Sequence, residues 1–391
     1  MVNHLGRARR AAQASFFAQG MVYITLTTRL EQFRDEWDLS SAVVPLLLLM
    51  LVLLAGVGSV VAERLAERHD SATMLRAGLV GIAVALVLVV AAPVLAVYVA
   101  GLALYGVALG VVDATTNMQA VAVEHRYGRP ILPSFHGAWT LGGVLGALVT
   151  VATGDDVPLW TIGVVAVVPL LASLAPLLPR VSAPPEAEAA ATDIAWRPIL
   201  LVGLGMVLFY MVDTAAATWG PTHGEKTFGV STDTAAIASL LYLLATLAAR
   251  FAGDGLVARY GAVPVLRVGT VIGVAALAVV VFAPSWPVAV VGFALLGAGI
   301  AVIAPLSFSA AARIAGADQA RTDAVIARFN QFNYVGALLG AVMTGAVGAV
   351  AESVVEEGSA LRIGFAVPMV LLLAMLPLAR AFAPSSRVRS G

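Results

Sequence analysis

Long apolar stretches, separated by short polar or turn-forming segments, follow one another along the whole chain. Each stretch is about 20 residues long, which is the length an α-helix needs to cross the hydrocarbon core of a bilayer. The stretches fall at 11–33, 41–62, 74–92, 94–122, 131–153, 157–179, 198–220, 233–252, 266–283, 286–310, 323–350 and 361–381. The pattern therefore predicts an all-α integral membrane protein with twelve transmembrane helices.

The six earlier and six later stretches are related by an internal repeat. When the chain is shifted by 191 residues, Gly78 and its neighbours fall on Gly269 and its neighbours. At a shift of 194 residues, Gly142 falls on Gly336, and the glycine four residues later is matched as well. The repeat is parallel, and in membrane proteins a parallel repeat of this size is typical of two similar helix bundles with a solute site between them. Transport is therefore the leading functional hypothesis.

The domain prediction follows from the repeat. Residues 1–180 form the N-terminal six-helix bundle and residues 198–391 the C-terminal one. The segment 181–197 between them is acidic and rich in alanine and proline, with no apolar stretch, so it is predicted to be a linker. Each bundle is expected to move as a body around the central solute site.

Composition narrows the possible functions. The chain is 60% hydrophobic and only 12% charged, which is far too apolar for a soluble protein of 391 residues. A net charge of zero argues against nucleic-acid binding, and the absence of cysteine excludes disulfides and thiolate metal sites. No phosphate-binding loop, zinc-protease helix or Ser/His/Asp arrangement is present, so an enzyme is not expected and no cofactor is predicted. An ion gradient or facilitated diffusion would then drive transport.

The basic residues predict the orientation. With a cytoplasmic N-terminus, all but four of the 23 lysines and arginines lie on the cytoplasmic side. The four exceptions are Arg29, Arg34, Lys226 and Arg362. Because cytoplasmic loops carry the excess of Lys and Arg, both termini are predicted to be cytoplasmic.

A basic loop follows the second stretch of each half. In the second half it reads Gly253-Asp254-Gly-Leu-Val-Ala-Arg259-Tyr-Gly261, and in the first half Glu63-Arg-Leu-Ala-Glu67-Arg68-His-Asp70. With twelve spans in two parallel halves, this loop resembles the signature of the major facilitator superfamily. The resemblance implies that Glu67, Arg68, Asp254 and Arg259 act in gating. The first copy is degenerate, because Asp70 stands where the turn glycine would be.

A narrower resemblance runs from Gly106 through Asp113 and Asn117, and on through His136 and Trp139. These segments look like the branch that contains fucose–proton symporter-type permeases and uncharacterised bacterial inner-membrane permeases. The resemblance implies a multi-pass protein of the bacterial cytoplasmic membrane, functional as a monomer, that moves a small polar, sugar-like solute.

Two acids lie inside apolar stretches, where a carboxylate is costly unless it faces a cavity or a partner. Asp113 shares a polar, glycine-lined stripe with Asn117, and the repeat does not duplicate it. Asp213 lies in the other half, close to Trp219. The two acids are therefore predicted to couple proton movement to transport. The alternatives are a structural Asp113 bonded to His136 or nearby polar groups, and an Asp213 in an ion pair with Lys226 or Arg29.

His136 is predicted to pass a proton to Asp113, because imidazole titrates near physiological pH, or to make a purely structural hydrogen bond. Arg29 either extends towards the outer boundary or grips an anionic group. Amide and aromatic side chains suit a hydroxyl-rich solute, although bonds between helices would also use them. The predicted solute-binding residues are Gln19, Tyr23, Arg29, Asn117, Trp139, Tyr210, Trp219, Asn330, Asn333 and Tyr334.

The sequence thus predicts a secondary transporter that works by alternating access, coupled to protons and using small solutes and the lipid bilayer as its partners. The runner-up is a proton-antiport efflux pump for a drug-like or secondary metabolite. A different class, a non-transporting sensor or scaffold on a transporter fold, would be insensitive to the loss of Asp113.

Overall fold

A computed structural model describes residues 2–40, 43–66, 68–153, 158–179, 196–316, 318–353, 355 and 357–383. Most of the predicted linker and Glu67 lie outside these residues. The described chain is helical, without a β-strand in these ranges, so the all-α prediction is confirmed. The helices of the first half are α1 (Val2–Thr27), α2 (Leu30–Glu36), α3 (Val43–Ala66), α4 (Ser71–Val90), α5 (Leu95–Tyr127), α6 (Leu132–Thr153), a 3₁₀ segment (Leu159–Ala166) and α7 (Val167–Ser173).

The second half begins with a long helix that contains Asp213. Its helices are α8 (Trp196–Phe228), α9 (Thr232–Tyr260), α10 (Ala262–Phe282), α11 (Trp286–Ile300), α12 (Ile303–Ala315), α13 (Gln319–Phe329), α14 (Gln331–Ala351), α15 (Glu357–Leu372), α16 (Met375–Leu378) and a closing 3₁₀ segment (Ala379–Phe382). Within the described ranges, ten helical stretches are long and apolar enough to cross a membrane. Helix α1 and the shorter apolar stretch Leu159–Ser173 occupy the other two predicted windows.

Large apolar side chains cover much of the described surface. Leu46 and Leu174, for example, are 61% and 81% exposed. Such a surface would be costly in water, but in a bilayer the hydrocarbon chains cover it. The surface is therefore that of a membrane-embedded protein.

Five predicted spans are interrupted in the structure, among them 11–33 between Thr27 and Leu30 and 361–381 between Leu372 and Met375. The window 157–179 begins as a 3₁₀ helix, 286–310 is divided between Ile300 and Ile303, and 323–350 is divided at Asn330. At Asn330 the backbone stays close to helical, with φ −61° and ψ −19°, so the interruption is slight. Hydropathy is insensitive to such local changes of hydrogen-bond pattern, and it therefore could not predict them.

Turns between the helices use different chemistry in the two halves. Gly261, at the end of α9, has φ +81°, a backbone conformation that favours glycine. The residue at the same place in the first repeat, Asp70, has φ −75°, and its side chain accepts a hydrogen bond from Thr73 N at 2.6 Å. Asp70 thus caps the N-terminus of α4, which explains why glycine is not needed there.

Close helix packing repeats between the halves. A Cβ added to Gly142 or Gly146 would meet the carbonyl oxygens of Phe17 or Met21 on α1. At the repeat-related positions, a Cβ added to Gly336 or Gly340 would likewise meet the carbonyl oxygen of Val207 or Met211 on α8. The repeat seen in the sequence is therefore present in the packing as well.

The chain divides into two compact units. The first comprises Met1–Arg129, Ala138–Asp193 and Ala315–Gln331. The second comprises Pro130–Gly137, Ile194–Ile314 and Phe332–Gly391. Each unit thus includes one short segment from the other sequence repeat. In the first unit, this segment forms α13, which packs against α3 and α5.

Candidate functional site

Asp113 is the centre of a polar cluster in the first unit. Its Oδ1 accepts a hydrogen bond from Gln19 Nε2 on α1 at 3.0 Å, and its Oδ2 accepts one from Asn330 Nδ2 at 3.0 Å. Gln19 is 3% exposed and Asn330 is fully buried, while Asp113 itself is half-buried. Two neutral amides therefore hold a carboxylate in the middle of an apolar helix.

Other polar groups near Asp113 are tied to their own helix. Asn117 Nδ2 donates to the backbone carbonyl of Asp113 at 2.9 Å, and Thr116 Oγ1 donates to that of Val112 at 2.8 Å. Such bonds to the preceding turn satisfy polar side chains within an apolar span. Ser59 on α3 completes the cluster, since Asn330 Nδ2 lies 3.5 Å from its Oγ.

A pair of aromatic side chains also lies in the first unit. The rings of Tyr23 and Trp139 are 6.2 Å apart and tilted by 39°. Both side chains are half-buried, and the fully buried hydroxyl of Tyr105 is close enough to Tyr23 to interact electrostatically. Gly20 allows this approach of α1 and α6, because a Cβ there would collide with the Trp139 carbonyl. These groups offer flat apolar surface next to polar atoms.

Arg29 is bound to the end of α6. Its Nη2 donates to the Thr150 carbonyl at 3.0 Å and also to Thr153 Oγ1, while its Nη1 donates to Gln32 Oε1 at 2.6 Å. The side chain is 2% exposed. Because a cation at a helix C-terminus is favoured by the exposed carbonyls and the helix dipole, these contacts stabilise the first unit.

Asp213 has a different environment in the second unit. Its Oδ1 accepts a hydrogen bond from the Tyr242 hydroxyl on α9, and the guanidinium of Arg250 acts on it electrostatically. Arg250 is only 6% exposed, and its Nε and Nη1 donate to the carbonyls of Ala301 and His136 at 3.3 and 3.4 Å. Asp213 is thus balanced by a buried cation, whereas Asp113 is held by amides.

His136 belongs to this second unit and not to the unit of Asp113. Its ring is buried, with its centroid 5.9 Å from that of Phe308, and it also lies in the field of Arg250. Lys226, a predicted partner of Asp213, lies 3.7 Å from Glu352.

The remaining predicted solute-binding residues of the second unit lie on α8 and α14. Trp219 Nε1 donates to the Ala341 carbonyl at 2.9 Å, which fixes its ring against Gly345. Tyr210 packs edge-on against Phe209 with 4.9 Å between the ring centroids. Asn333 and Tyr334 are half-buried near the start of α14.

The structure describes three of the four predicted gating residues, Arg68, Asp254 and Arg259. Asp254 Oδ1 accepts a hydrogen bond from Ser134 N at 2.9 Å, in the first turn of α6, where backbone amides have no acceptor within the helix. Arg68 and Arg259 are exposed, and Arg259 stacks on the ring of Tyr260. Glu67 lies outside the described residues.

Sequence reasoning missed three functional candidates. Glu63, one repeat before Asp254, binds Arg328 on α13, with 2.7 Å between Oε1 and Nε. Arg250 was counted only among the cytoplasmic cations, and Ser59 was not considered. The repeat carried a signal for Glu63, because the acid recurs at the matching position of the second loop.

Repeat-related helices that are long enough to span a bilayer, and that carry buried polar clusters, define a multi-pass membrane transporter. The sequence model of the Major Facilitator Superfamily matches residues 11–341 and 202–391, so the chain belongs to this family. The predicted family and transporter class are thereby confirmed.

Relatives and solved structures agree with this assignment. An uncharacterized transporter, y4wD, of Sinorhizobium fredii is 27% identical over 308 residues, covering 78% of this chain and 82% of the relative. An uncharacterized MFS-type transporter of Yersinia pestis is 26% identical over 342 residues, 85% of each chain. The FucP transporter in its outward conformation has a similar fold, with a TM-score of 0.75 at 16% identity over 96% of this chain and 98% of FucP. The human organic anion transporter MFSD10 gives 0.73 at 13% identity, over 94% and 99%.

Proposed function

We propose that this chain is a proton-coupled secondary transporter of a small polar organic solute in a bacterial cytoplasmic membrane. The proton gradient supplies the energy, and the chain acts as a monomer with both termini in the cytoplasm. The observation that carries the proposal is the carboxylate of Asp113, held by Gln19 and Asn330 inside an apolar helix. A carboxyl group in this position can take up and release a proton, and burial makes its charge state energetically significant.

The contrast between the two acids supports Asp113 as the principal coupling group. Asp213 lies in the field of Arg250, so loss of its charge would leave a buried cation unbalanced. Asp113 is bonded by amides that are neutral in both of its protonation states. In this proposal Asp113 exchanges the proton, and Asp213 with Arg250 stabilises the second unit.

The solute class is inferred from the groups around these acids. Tyr23 and Trp139 place two aromatic rings 6.2 Å apart in the first unit, and Tyr210 and Trp219 add aromatic side chains on α8 in the second unit. Aromatic faces combined with a few polar groups are typical of sites that bind hydroxylated solutes. A neutral, sugar-like molecule is therefore the proposed cargo. One structural neighbour, FucP of E. coli, is named as a fucose:proton symporter.

The experiment is a proton-flux assay. The purified protein is reconstituted in liposomes that contain a pH-sensitive dye, and sugars, polyols, amino acids and organic acids are added in turn. We expect a solute-dependent acidification of the lumen that is lost in Asp113→Asn. Asp233→Asn is the matched control, because Asp233 is an exposed acid in the first turn of α9.

Each alternative predicts a different result in the same assay. A proton antiporter would alkalinise the lumen when solute enters. A uniporter would move labelled solute without a pH change. A sensor or scaffold would give neither flux nor pH change with any solute in the screen.

A further inference from the structure

The two amides that hold Asp113 are not equivalent. Gln19 Oε1 is buried and has no hydrogen-bond partner among the residues that the structure describes. The side-chain amide of Gln19 can therefore rotate by a half-turn without breaking any hydrogen bond other than the one to Asp113. Asn330 Oδ1 shares this property with Gln19 Oε1, but Asn330 Nδ2 also lies 3.5 Å from Ser59 Oγ. Because Ser59 Oγ donates its own hydrogen to the Ala327 carbonyl at 2.9 Å, it can only accept from Asn330. This orients the Asn330 amide as a donor towards Asp113.

The two amides also differ in their place in the chain. Gln19 lies on α1, within the same sequence repeat as Asp113. Asn330 lies at the junction of α13 and α14, and the chain passes from the first compact unit to the second between Gln331 and Phe332. A change in the bond to Asn330 therefore acts on one of the segments where the chain passes between the two units.

We propose that Gln19 and Asn330 are positioning residues with separate roles: Gln19 satisfies Asp113 in both protonation states, and Asn330 senses its charge. This inference rests on the proposed proton coupling. A proton from the aqueous phase binds Asp113 Oδ1, and one O–H bond forms. The Gln19 amide then rotates and accepts a hydrogen bond from this O–H through Oε1, so the Gln19–Asp113 hydrogen bond is kept with its direction reversed.

The bond to Asn330 changes in strength upon protonation. With Asp113 ionised, Oδ2 is a charged acceptor, and hydrogen bonds to charged acceptors are roughly twice as strong as neutral ones. With Asp113 protonated, Oδ2 is the carbonyl oxygen of a neutral acid, so the Asn330 bond weakens while the Gln19 bond is kept. Proton binding thus loosens the link to the α13–α14 junction.

Charged and titratable groups also occur on the helices packed against α5. Those that are buried or half-buried are Arg9, Tyr23, Glu63, Arg76, Arg321 and Asp323. Neutral substitutions at positions 19 and 330 leave all of these groups in place. A change seen in such variants is therefore assigned to the amides themselves.

The first experiment is infrared difference spectroscopy of the full-length protein in lipid bilayers, between alkaline and acidic buffer. The C=O stretching band of the protonated carboxyl should disappear in Asp113→Asn. It should move to higher frequency in Gln19→Leu, because the O–H loses its acceptor. Asn117→Ala should leave the band position unchanged, because Asn117 bonds to the backbone carbonyl of Asp113.

The second experiment measures the ratio of protons to solute in liposomes. Asn330→Leu should lower this ratio below the wild-type value and should add a proton leak without solute, because protonation no longer acts on the junction. Gln19→Met and Asn330→Ala provide the same test where a leucine variant fails to fold.

The outcomes separate the two proposals. If Asp113→Asn changes neither the band nor the ratio, the proposed proton coupling is wrong. If Asp113→Asn abolishes both while the variants at 19 and 330 match the wild type, the roles assigned to these amides are wrong and the coupling stands.

Discussion

Glu63 and Arg328 form an ion pair in the first unit, although 265 residues separate them in the sequence. The repeat-related acid, Asp254, occupies the matching position in the second unit and accepts a hydrogen bond from the backbone amide of Ser134. Ser134 and Arg328 are themselves related by the repeat, at the shift of 194 residues. The two halves have therefore kept the position of an acid at the end of a helix while changing the group it binds.

Reversing the ion pair tests whether it contributes to the transport cycle. Glu63→Arg and Arg328→Glu should each slow solute exchange, and the double reversal should restore much of the lost rate. Arg328 is exposed, so the coupling energy should be small, about 0.2–1 kcal/mol. Exchange rates of the two single variants, the double variant and the wild type form a double-mutant cycle. Strictly additive effects would mean that the pair does not act in the cycle.

Removing the Asp254 carboxylate tests how much its hydrogen bond to the Ser134 amide contributes to stability. Asp254→Ala should destabilise the protein by about 0.5–2 kcal/mol, because the amide of Ser134 loses its acceptor at the start of α6. Asp254→Asn retains an acceptor oxygen and should cost less. Thermal unfolding in detergent measures both. Equal stability of the alanine and asparagine variants would show that the bond does not matter.

The helical fold could be predicted from sequence because its signal is local. Apolar stretches of bilayer length located the helices, and glycines at matching positions, such as Gly142 and Gly336, revealed the repeat. The terminal residues of the helices were less predictable. Helix α1, for example, begins at Val2 although the apolar window begins at residue 11, because helical hydrogen bonding continues into the polar segment before the span.

Close-packing glycines should tolerate substitution very differently from exposed ones. A Cβ at Gly110 would collide with the Ala55 carbonyl, with 2.7 Å to its carbon, so Gly110→Ala should cost about 1–3 kcal/mol. Gly255→Ala is the control, since a Cβ there meets nothing within 4 Å. That change should be neutral or slightly stabilising, because alanine favours helix over glycine. Similar melting temperatures for the two variants would refute the packing argument.

Asp113 and Asp213, the two acids within apolar helices, should differ in their effect on stability. Asp213→Asn leaves the buried cation of Arg250 without its nearby anion and should destabilise the protein by about 1–3 kcal/mol. Asp113→Asn keeps a neutral side chain among neutral amides and should cost less. Thermal unfolding of both variants in the same detergent makes the comparison. A larger loss in Asp113→Asn would show that Asp113 has the more important structural role.

The candidate site was less accessible to sequence reasoning than the fold. Asp113 stood out because a carboxylate in an apolar span is unusual, and Asn330, Asn333 and Tyr334 were predicted to bind the solute. Their partnership could not be predicted, because 217 residues separate Asp113 from Asn330 and no local pattern links them. Arg250 was missed for a related reason: a cation near the end of a span looks like a loop residue until packing shows that it is buried.

Solute accumulation against a gradient tests the central claim most directly. Proteoliposomes with an acidic exterior and a solute identified in the proton-flux screen should concentrate that solute, and a protonophore should abolish the accumulation. In Asp113→Asn the solute should only equilibrate, while exchange of labelled for unlabelled solute continues. Accumulation by Asp113→Asn to the wild-type level would contradict the assignment of Asp113 as the coupling acid.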